Sequence, residues 1–404
     1  MKKTTLVKSL LLGAATVGLA TTASAQNVQM SADKKAVAYT PSSFASARSA
    51  GLDFKMSKSQ MDNAKSRLPV ITDASQLPNV GMLRKSDASL SGSGVGSGFS
   101  SQAFGAFGGF PFTSRSVAQA PNSNKNAYPV DTAPYQQTGK LFMDFGGSFF
   151  VCSGSVLQSG LVLTAAHCVH DFGSAEFGFA DRVFFLPALH NDVVPFGVWT
   201  AQSIVIPETY FNGTDRCLPG ATGVVCENDL AILVMNSRVN EDEVEEEVGD
   251  VVGRYSTYIN DRGYTALGGN GDLAAHLTQI SYPSAGYTGE RMIQAESIAV
   301  QDAPFALGPD TDYNQVIMGS NMTGGSSGGP WIHNFGKSDG YAGTAPVDSQ
   351  GNRVAAVTSW GFTNDSVKIQ GASRFGHNTA YPKGGPTNIK SLIDLGCSFG
   401  ETKC

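Results

Sequence analysis

The sequence predicts an all-β fold, and three observations carry that prediction. Short apolar runs rich in β-formers recur from about Tyr135 onward, each bounded by Gly, Pro, Asn or Asp. Glycine is abundant, 47 of 404 residues, yet follows no fixed period, which excludes collagen and suits a chain with many turns. No stretch sustains a clean helical period, and residues 387–395 are the best helix candidate. The strand-length runs are 140–143, 159–164, 183–186, 229–234, 316–318, 331–332 and 353–359. Together they describe an all-β unit of about 270 residues, built as a barrel pair or a sandwich.

A chain of 404 residues can hold two domains, or one domain with a long extension. A net charge of −6 leaves no basic stripe to neutralise phosphates, so a nucleic-acid partner is not expected. The first 25 residues read as an export signal: Lys2, Lys3 and Lys8, an apolar run over 10–20, then Ala23-Ser24-Ala25 as a cleavage site. The mature chain is expected to begin near Gln26 and to be secreted or periplasmic. No later run reaches the ~20 apolar residues that a membrane anchor needs.

Residues 26–135 differ in composition from the strand-rich remainder of the chain. Ser, Ala, Lys and Gln dominate to about Ser89, and residues 91–110 hold twelve Gly or Ser and four Phe. That composition is linker-like, and the region is expected to be a prosegment with an accessible cutting site in the Gly/Ser stretch. All six cysteines lie beyond it: Cys152, Cys168, Cys217, Cys226, Cys397 and Cys404. Six cysteines allow 15 pairings; an even count in an exported chain favours disulfides, and neighbour pairing is the simplest arrangement. No C-x-x-C knuckle supports a metal site. The acidic run 241–250 could suggest calcium, but it lacks the spaced pattern of a calcium loop and reads as a solvated loop.

The stretch with most chemistry is Thr323-Gly324-Gly325-Ser326-Ser327-Gly328-Gly329-Pro330, a turn between two apolar strands. Glycines let backbone N–H groups approach a bound atom, and a serine hydroxyl beside such donors is suited to acyl transfer. A nucleophilic serine needs a base, and six histidines are candidates: His167, His170, His190, His276, His333 and His377. His167 ends an apolar strand behind small residues and is followed by Cys168, which could tether it. The base needs an orienting carboxylate, and Asp229 stands at the head of an apolar strand. Singly, each of these residues has an ordinary structural explanation. Their force lies in their occurrence together, in the order His167, Asp229, Ser327.

Thr164-Ala165-Ala166-His167-Cys168, Asn228-Asp229-Leu230-Ala231-Ile232 and Gly325-Ser326-Ser327-Gly328-Gly329-Pro330 resemble the three signatures of the chymotrypsin-like serine proteases. Thr358-Ser359-Trp360-Gly361 is similar to the strand that lines the substrate in that family. The resemblance covers roughly residues 136–396 and implies two antiparallel six-stranded β-barrels with the site in the cleft between them. It implies Ser327 as nucleophile, His167 as general base and then acid, and Asp229 as orienting carboxylate. Gly325 and Ser327 would supply the oxyanion N–H groups, and Cys152–Cys168 would match the disulfide beside the catalytic histidine. Ser326 is the alternative nucleophile, one position early against the motif.

The chain departs from the animal members of that family. Ser326 stands where they carry aspartate, and no Ile/Val-Val-Gly-Gly start precedes His167, so activation must differ. The pattern is closer to the bacterial secreted branch that includes the glutamyl endopeptidases, which 277–283 and 322–328 resemble. By resemblance Asn321 and Met322 mark the base of the primary pocket, with Ser359, Trp360 and Gly361 along its side. No carboxylate is there for a basic substrate residue, and the stretch Val357-Thr358-Ser359-Trp360 holds no histidine, so a neutral or medium apolar residue is expected. His377 is a further pocket candidate from the next strand. The implied activity is a secreted serine endopeptidase acting on protein or peptide substrates, needing no cofactor or metal and working as a monomer. The alternative is a binding protein on a silent protease scaffold; a Gly-x-Ser-x-Gly hydrolase is disfavoured because that elbow is missing.

Overall fold

The computed structural model describes residues 27–41, 63–67, 70–71, 104–107, 110–117, 130–218, 221–257, 274–284, 289–301, 315–336, 351–362 and 367–404. The export signal over 1–25 and most of the Gly/Ser-rich stretch lie outside the described residues.

Six antiparallel strands form the first barrel: β1 (Thr138–Phe145), β2 (Ser148–Gln158), β3 (Leu161–Thr164), β4 (Arg182–Pro187), β5 (Trp199–Pro207) and β6 (Ala231–Met235). They pair in the order β5-β4-β1-β2-β3-β6, and β6 pairs back onto β5, so the sheet closes on itself and leaves no edge within the ring. Leu141, Val162, Phe185, Ile204 and Leu233 share one face of the ring by register and have no exposed surface, while Leu161 and Ile232, equally buried, lie on the opposite face beside Gly396 near the C-terminus.

The second barrel holds β7 (Ala274–Ser281), β8 (Ile293–Gln301), β9 (Gln315–Gly319), β10 (Pro330–His333), β11 (Arg353–Phe362) and β12 (Ile369–Arg374). Their order is β7-β10-β11-β12-β9-β8, with β8 returning to β7. This ring closes less fully, since β8 meets β9 only at Val300↔Ile317 and Gln301↔Val316. A seventh strand, Phe110–Ser116, lies on β8 from Phe112↔Ser297 to Ser116↔Ile293. The expected barrel pair is therefore present, with a seventh strand on the second barrel.

That added strand comes from the region upstream of residue 136. Phe110 and Phe112 are buried, and their alternation with exposed Pro111 and Thr113 marks a half-buried strand. A hairpin of Val28–Met30 and Ala36–Tyr39 similarly extends the first barrel by pairing on β5. Lys65–Ser66 adds to β2 and Val70–Ile71 adds to β11.

Among the described residues the α-helices are α1 (Ala166–Val169), α2 (Glu208–Phe211), α3 (Val248–Val252) and α4 (Asn388–Cys397). The predicted C-terminal helix is α4, capped where the Thr387 hydroxyl accepts the Lys390 N–H. It buries Ile389, Leu392 and Leu395 against β5 and β6. No helix among the described residues is long and apolar enough to cross a membrane.

The disulfides are Cys152–Cys168, Cys217–Cys226 and Cys397–Cys404, the neighbour pairing. The last one turns the chain end back under the first barrel. Lys403 there is buried and pairs with Glu247 at 2.6 Å. The solvated reading of the acidic run thus holds for 241–245, which are exposed, and fails at Glu247, which is 3% exposed. A charge without a local partner in sequence found one 156 residues away.

Candidate active site

His167 and Asp229 are in contact, and the turn that carries Ser327 packs at Gly328 against Thr164 and Ala165, just before His167. His167 lies on α1, a single turn immediately after β3, and Cys168 ties that turn to Cys152 on β2. The His167 N–H donates to Asp229 Oδ1 at 2.9 Å, and its Nδ1 lies 2.7 Å from Asp229 Oδ2. An ionised carboxylate only accepts, so Nδ1 carries the proton in this pair and Nε2 is left with its lone pair. His167 is 5% exposed and Asp229 fully buried.

Asp229 is held by its neighbours on both sides. Asn228 donates its N–H and its side-chain amide to Asp215, each at 2.8 Å. The Asn228 carbonyl oxygen of the side chain accepts from Asn378 and Asn388, which fixes the turn that begins β6. Burial pushes the Asp215 carboxyl up to about 6, with Glu227 adding to the rise and the Asn228 bonds opposing it. On the other side the Ser359 hydroxyl on β11 reaches both Asp229 Oδ2 and the Val224 carbonyl.

Ser327 sits in the glycine turn before β10. Gly325 has φ +94° and Gly328 φ +77°, values that favour glycine. Space excludes other residues at Gly328 as well: a Cβ there would collide with Thr164 Oγ1 and the Ser153 carbonyl. The Gly324 carbonyl accepts from the Ser284 N–H at 2.6 Å, and because a trans peptide opposes its C=O and N–H, the Gly325 N–H points the other way. Among the described residues neither the Gly325 nor the Ser327 N–H donates a hydrogen bond.

The two serines of the turn differ in their engagement. The Ser326 hydroxyl donates to the Thr323 carbonyl at 2.7 Å and accepts from Gln370 at 3.0 Å. Ser327 Oγ is buried without a hydrogen-bond partner, and His167 Nε2 is not joined to it; the ring nitrogen lies 3.8 Å from Cys168 Sγ. Catalytic hydrogen bonds are often long before substrate arrives and tighten in the complex.

Several contributors were not evident from the sequence. Ser153 joins the barrels: its N–H donates to the Ser327 carbonyl at 2.7 Å, its hydroxyl donates to the Gly325 carbonyl at 2.9 Å, and it accepts the Tyr282 N–H. Gln370 on β12 donates to the Met322 carbonyl and to Ser326 Oγ, and accepts from Gln279 on β7. Gln279 in turn contacts Thr358 and Ser320, and the Trp331 indole donates to Thr358. The one signal in the sequence that could have pointed to this network is a lone glutamine in the apolar stretch Ile369-Gln370-Gly371-Ala372.

Of the pocket candidates, Met322 is buried and Asn321 half-buried just before the glycine turn. Trp360 packs with Phe110, Val224, Ile317 and Ile369, and its indole donates to Gln315. Gly361 pairs with Gln370. His377 turns instead to the Gly385 carbonyl at 3.0 Å. His170, three residues past His167, is buried against Phe179, Tyr210 and Phe211 and bonds the Ala175 carbonyl. Desolvation lowers its pKa to about 4.

No family model matches the sequence, and no curated protein matches it. Solved structures similar to this chain are described as proteases. Protease Anisep from Arthrobacter nicotinovorans is 25% identical, with 65% of this chain and 96% of that chain covered and a TM-score of 0.48. A thermostable serine protease AL20 from an extremophilic microorganism is 24% identical, with 60% and 92% covered and a TM-score of 0.45. A Glu endopeptidase is 18% identical, with 67% and 92% covered and a TM-score of 0.40.

Proposed function

We propose that this chain is a secreted serine endopeptidase that works through an acyl-enzyme. The observation that carries the reading is the buried His167–Asp229 pair facing a glycine turn, where the Ser327 hydroxyl and two N–H groups are all unengaged. Ser327 Oγ attacks the carbonyl carbon of a peptide bond while His167 Nε2 takes its proton. The Gly325 and Ser327 N–H groups receive the oxyanion, where one donor is typically worth a factor of about 10²–10³ in rate. The C–N bond then breaks as Nε2 returns the proton to the leaving amine. Water, activated by the same nitrogen, hydrolyses the ester.

Asp229 keeps the proton on Nδ1 and stabilises the imidazolium. Ser326 is a less suitable nucleophile because its hydroxyl is already committed on both sides. Asn321, Met322, Ser359, Trp360 and Gly361 line the primary pocket in this reading, and the preferred residue is a neutral or medium apolar one. The region upstream of residue 136 acts as a prosegment, and a mature start between Gly92 and Tyr135 is expected. The three disulfides are consistent with an exported, oxidised chain.

Labelling with a fluorophosphonate probe followed by peptide mapping tests the reading. An adduct on Ser327, and loss of peptide hydrolysis by about 10⁴-fold or more in Ser327→Ala, are the expected results. Cleavage surviving in Ser327→Ala would overturn the assignment. No adduct in any form of the protein would favour a silent scaffold.

A further inference from the structure

Asp215 carries a buried carboxylate that the proposed reaction does not use. It is 7% exposed, and the groups that act on it are Asn228, Thr209 and Glu227, none of them a cation. Glu227 itself pairs with Arg216 at 3.5 Å, and the other titratable groups facing Asp215 are the buried phenols of Tyr210 and Tyr381. Burial pushes the carboxyl up to about 6, so above that pH the fold carries an ion that its burial opposes. Near neutral pH, stability is not what this charge supplies.

Its placement is built by two segments. Cys217 and Cys226 face each other across an antiparallel bridge and are joined by their disulfide. In the same ladder the Glu227 N–H donates to the Arg216 carbonyl at 3.0 Å. One step further along, that register sets Asp215 opposite Asn228. There the Asn228 N–H donates to a side chain, at Asp215 Oδ2, and the Asn228 amide donates to Oδ1. The Thr209 hydroxyl donates to Oδ1 at 3.3 Å, and the Thr209 carbonyl accepts the Asp215 N–H at 2.9 Å. The carboxylate is thereby tied to α2 as well.

This pair of donors needs an acceptor at both oxygens. An amide at position 215 would turn its NH₂ toward one of the Asn228 donors. Asn228 has no exposed surface, and its side-chain oxygen accepts from Asn378 and Asn388. Turning its amide over to compensate would break those bonds. The backbone carbonyl of Asn228 accepts the Leu230 N–H at 2.9 Å, so Asp229 stands between two anchored residues. Asp229 offers one oxygen to the His167 N–H and the other to Nδ1. A small rotation of the Asp229 backbone would disturb both.

We propose that Asp215 is a positioning residue: its carboxylate fixes Asn228 and, through it, the aim of Asp229 at His167. The proposal rests on the protease reading. Acting through another residue, Asp215 affects the chemical step and leaves substrate affinity alone. Removing its charge near neutral pH should leave the fold at least as stable while slowing the chemistry. A residue with a merely structural role does not give that combination.

The test compares the chain as secreted in three forms at about pH 8, above the titration of Asp215: wild type, Asp215→Asn, and Asp215→Asn combined with Asn228→Asp. In the combined variant the two side chains exchange roles, and each donor keeps an acceptor. The readouts are kcat and KM on a peptide, the rate of fluorophosphonate labelling at Ser327, the NMR resonance of the His167 Nδ1 proton, and denaturant unfolding. Asp215→Asn is expected to lower kcat and labelling by about 10–100-fold with KM nearly unchanged, as for a misplaced reacting group. Its Nδ1 proton signal is expected to shift or broaden, and its unfolding midpoint not to fall. The combined variant should recover most of the lost kcat. Unchanged kcat, or a loss confined to KM, would overturn the positioning role. Lower kcat with a lower unfolding midpoint and an unmoved Nδ1 signal would mark Asp215 as structural and sink the proposal. Should the combined variant fail to fold, the Nδ1 signal of Asp215→Asn decides the question. Wild type that neither hydrolyses nor labels would remove the protease reading, and the role of Asp215 in catalysis with it.

Discussion

The two barrels meet at one site but are built differently inside. The first is filled by aliphatic and aromatic side chains, Leu141, Val162, Phe185, Ile204 and Leu233 among them, all without exposed surface. It carries His167 and Asp229, each fixed by backbone bonds and by the Cys152–Cys168 bridge. Directly under the nucleophile turn, the second barrel instead has a buried polar network of Gln279, Ser320, Thr358 and Gln370. An apolar interior tolerates small adjustments, because dispersion is non-directional. A polar network fixes orientation, since each buried group left unpaired costs about 1–3 kcal/mol. The difference suits the parts: a base positioned by its own strand end and carboxylate, and a glycine turn that needs support from below.

The largest expected effect lies on the first barrel's side of the chemistry. Asp229→Asn is expected to lower kcat by about 10⁴-fold with a melting temperature close to wild type, since shape is kept and the Nδ1 tautomer is lost. A loss under tenfold would sink the role given to Asp229. Next come two substitutions that set the barrels against each other. Phe185→Ala should cost about 3–5 kcal/mol in denaturant unfolding, while the folded fraction keeps its turnover. Gln279→Leu should cost less, about 1–3 kcal/mol, yet reduce turnover more, because Gln370 and Thr358 lose the partner that orders the turn. Equal activity losses in the pair would erase the contrast.

The smallest effects concern pH, where two buried groups act in opposition. His170 is held near 4, below its ordinary 6.5, so the folded chain binds fewer protons than the unfolded one between those values. Stability from this group is present above pH 6.5 and lost as pH falls towards 4. Asp215 is pushed up from 3.8 to about 6, so its contribution runs the other way and is lost as pH rises from about 4 to 6. Relative to wild type, His170→Phe should therefore gain stability as pH is lowered from 6.5 to 4, and Asp215→Asn should gain it as pH is raised. Parallel stability curves for all three proteins across that window would show that burial does not shift these groups.

Much of this was legible in the chain. Strand-length apolar runs between turn residues marked the neighbourhoods of many barrel strands, because a half-buried sheet imposes its own pattern. Thr387 with an amphipathic run marked α4. The nucleophile turn was visible because positive φ at Gly325 and Gly328 narrows the choice of residue. Ser153, Gln279 and Gln370 were hidden because a buried polar side chain is recognised by its partners, which here come from distant strands. Glu247 was misread for the same reason: its countercharge lies on Lys403.

Local chemistry was thus sufficient for strand content, and it is the source of the proposal that His167, Asp229 and Ser327 act together. Those properties depend on residue types at short spacing. What depended on the assembled fold was which serine hydroxyl is left unengaged, what supports the glycine turn, and where the short strands Lys65–Ser66 and Val70–Ile71 pair. Each of these is set by contacts between segments tens to hundreds of residues apart, and such contacts exist only when the barrels have closed.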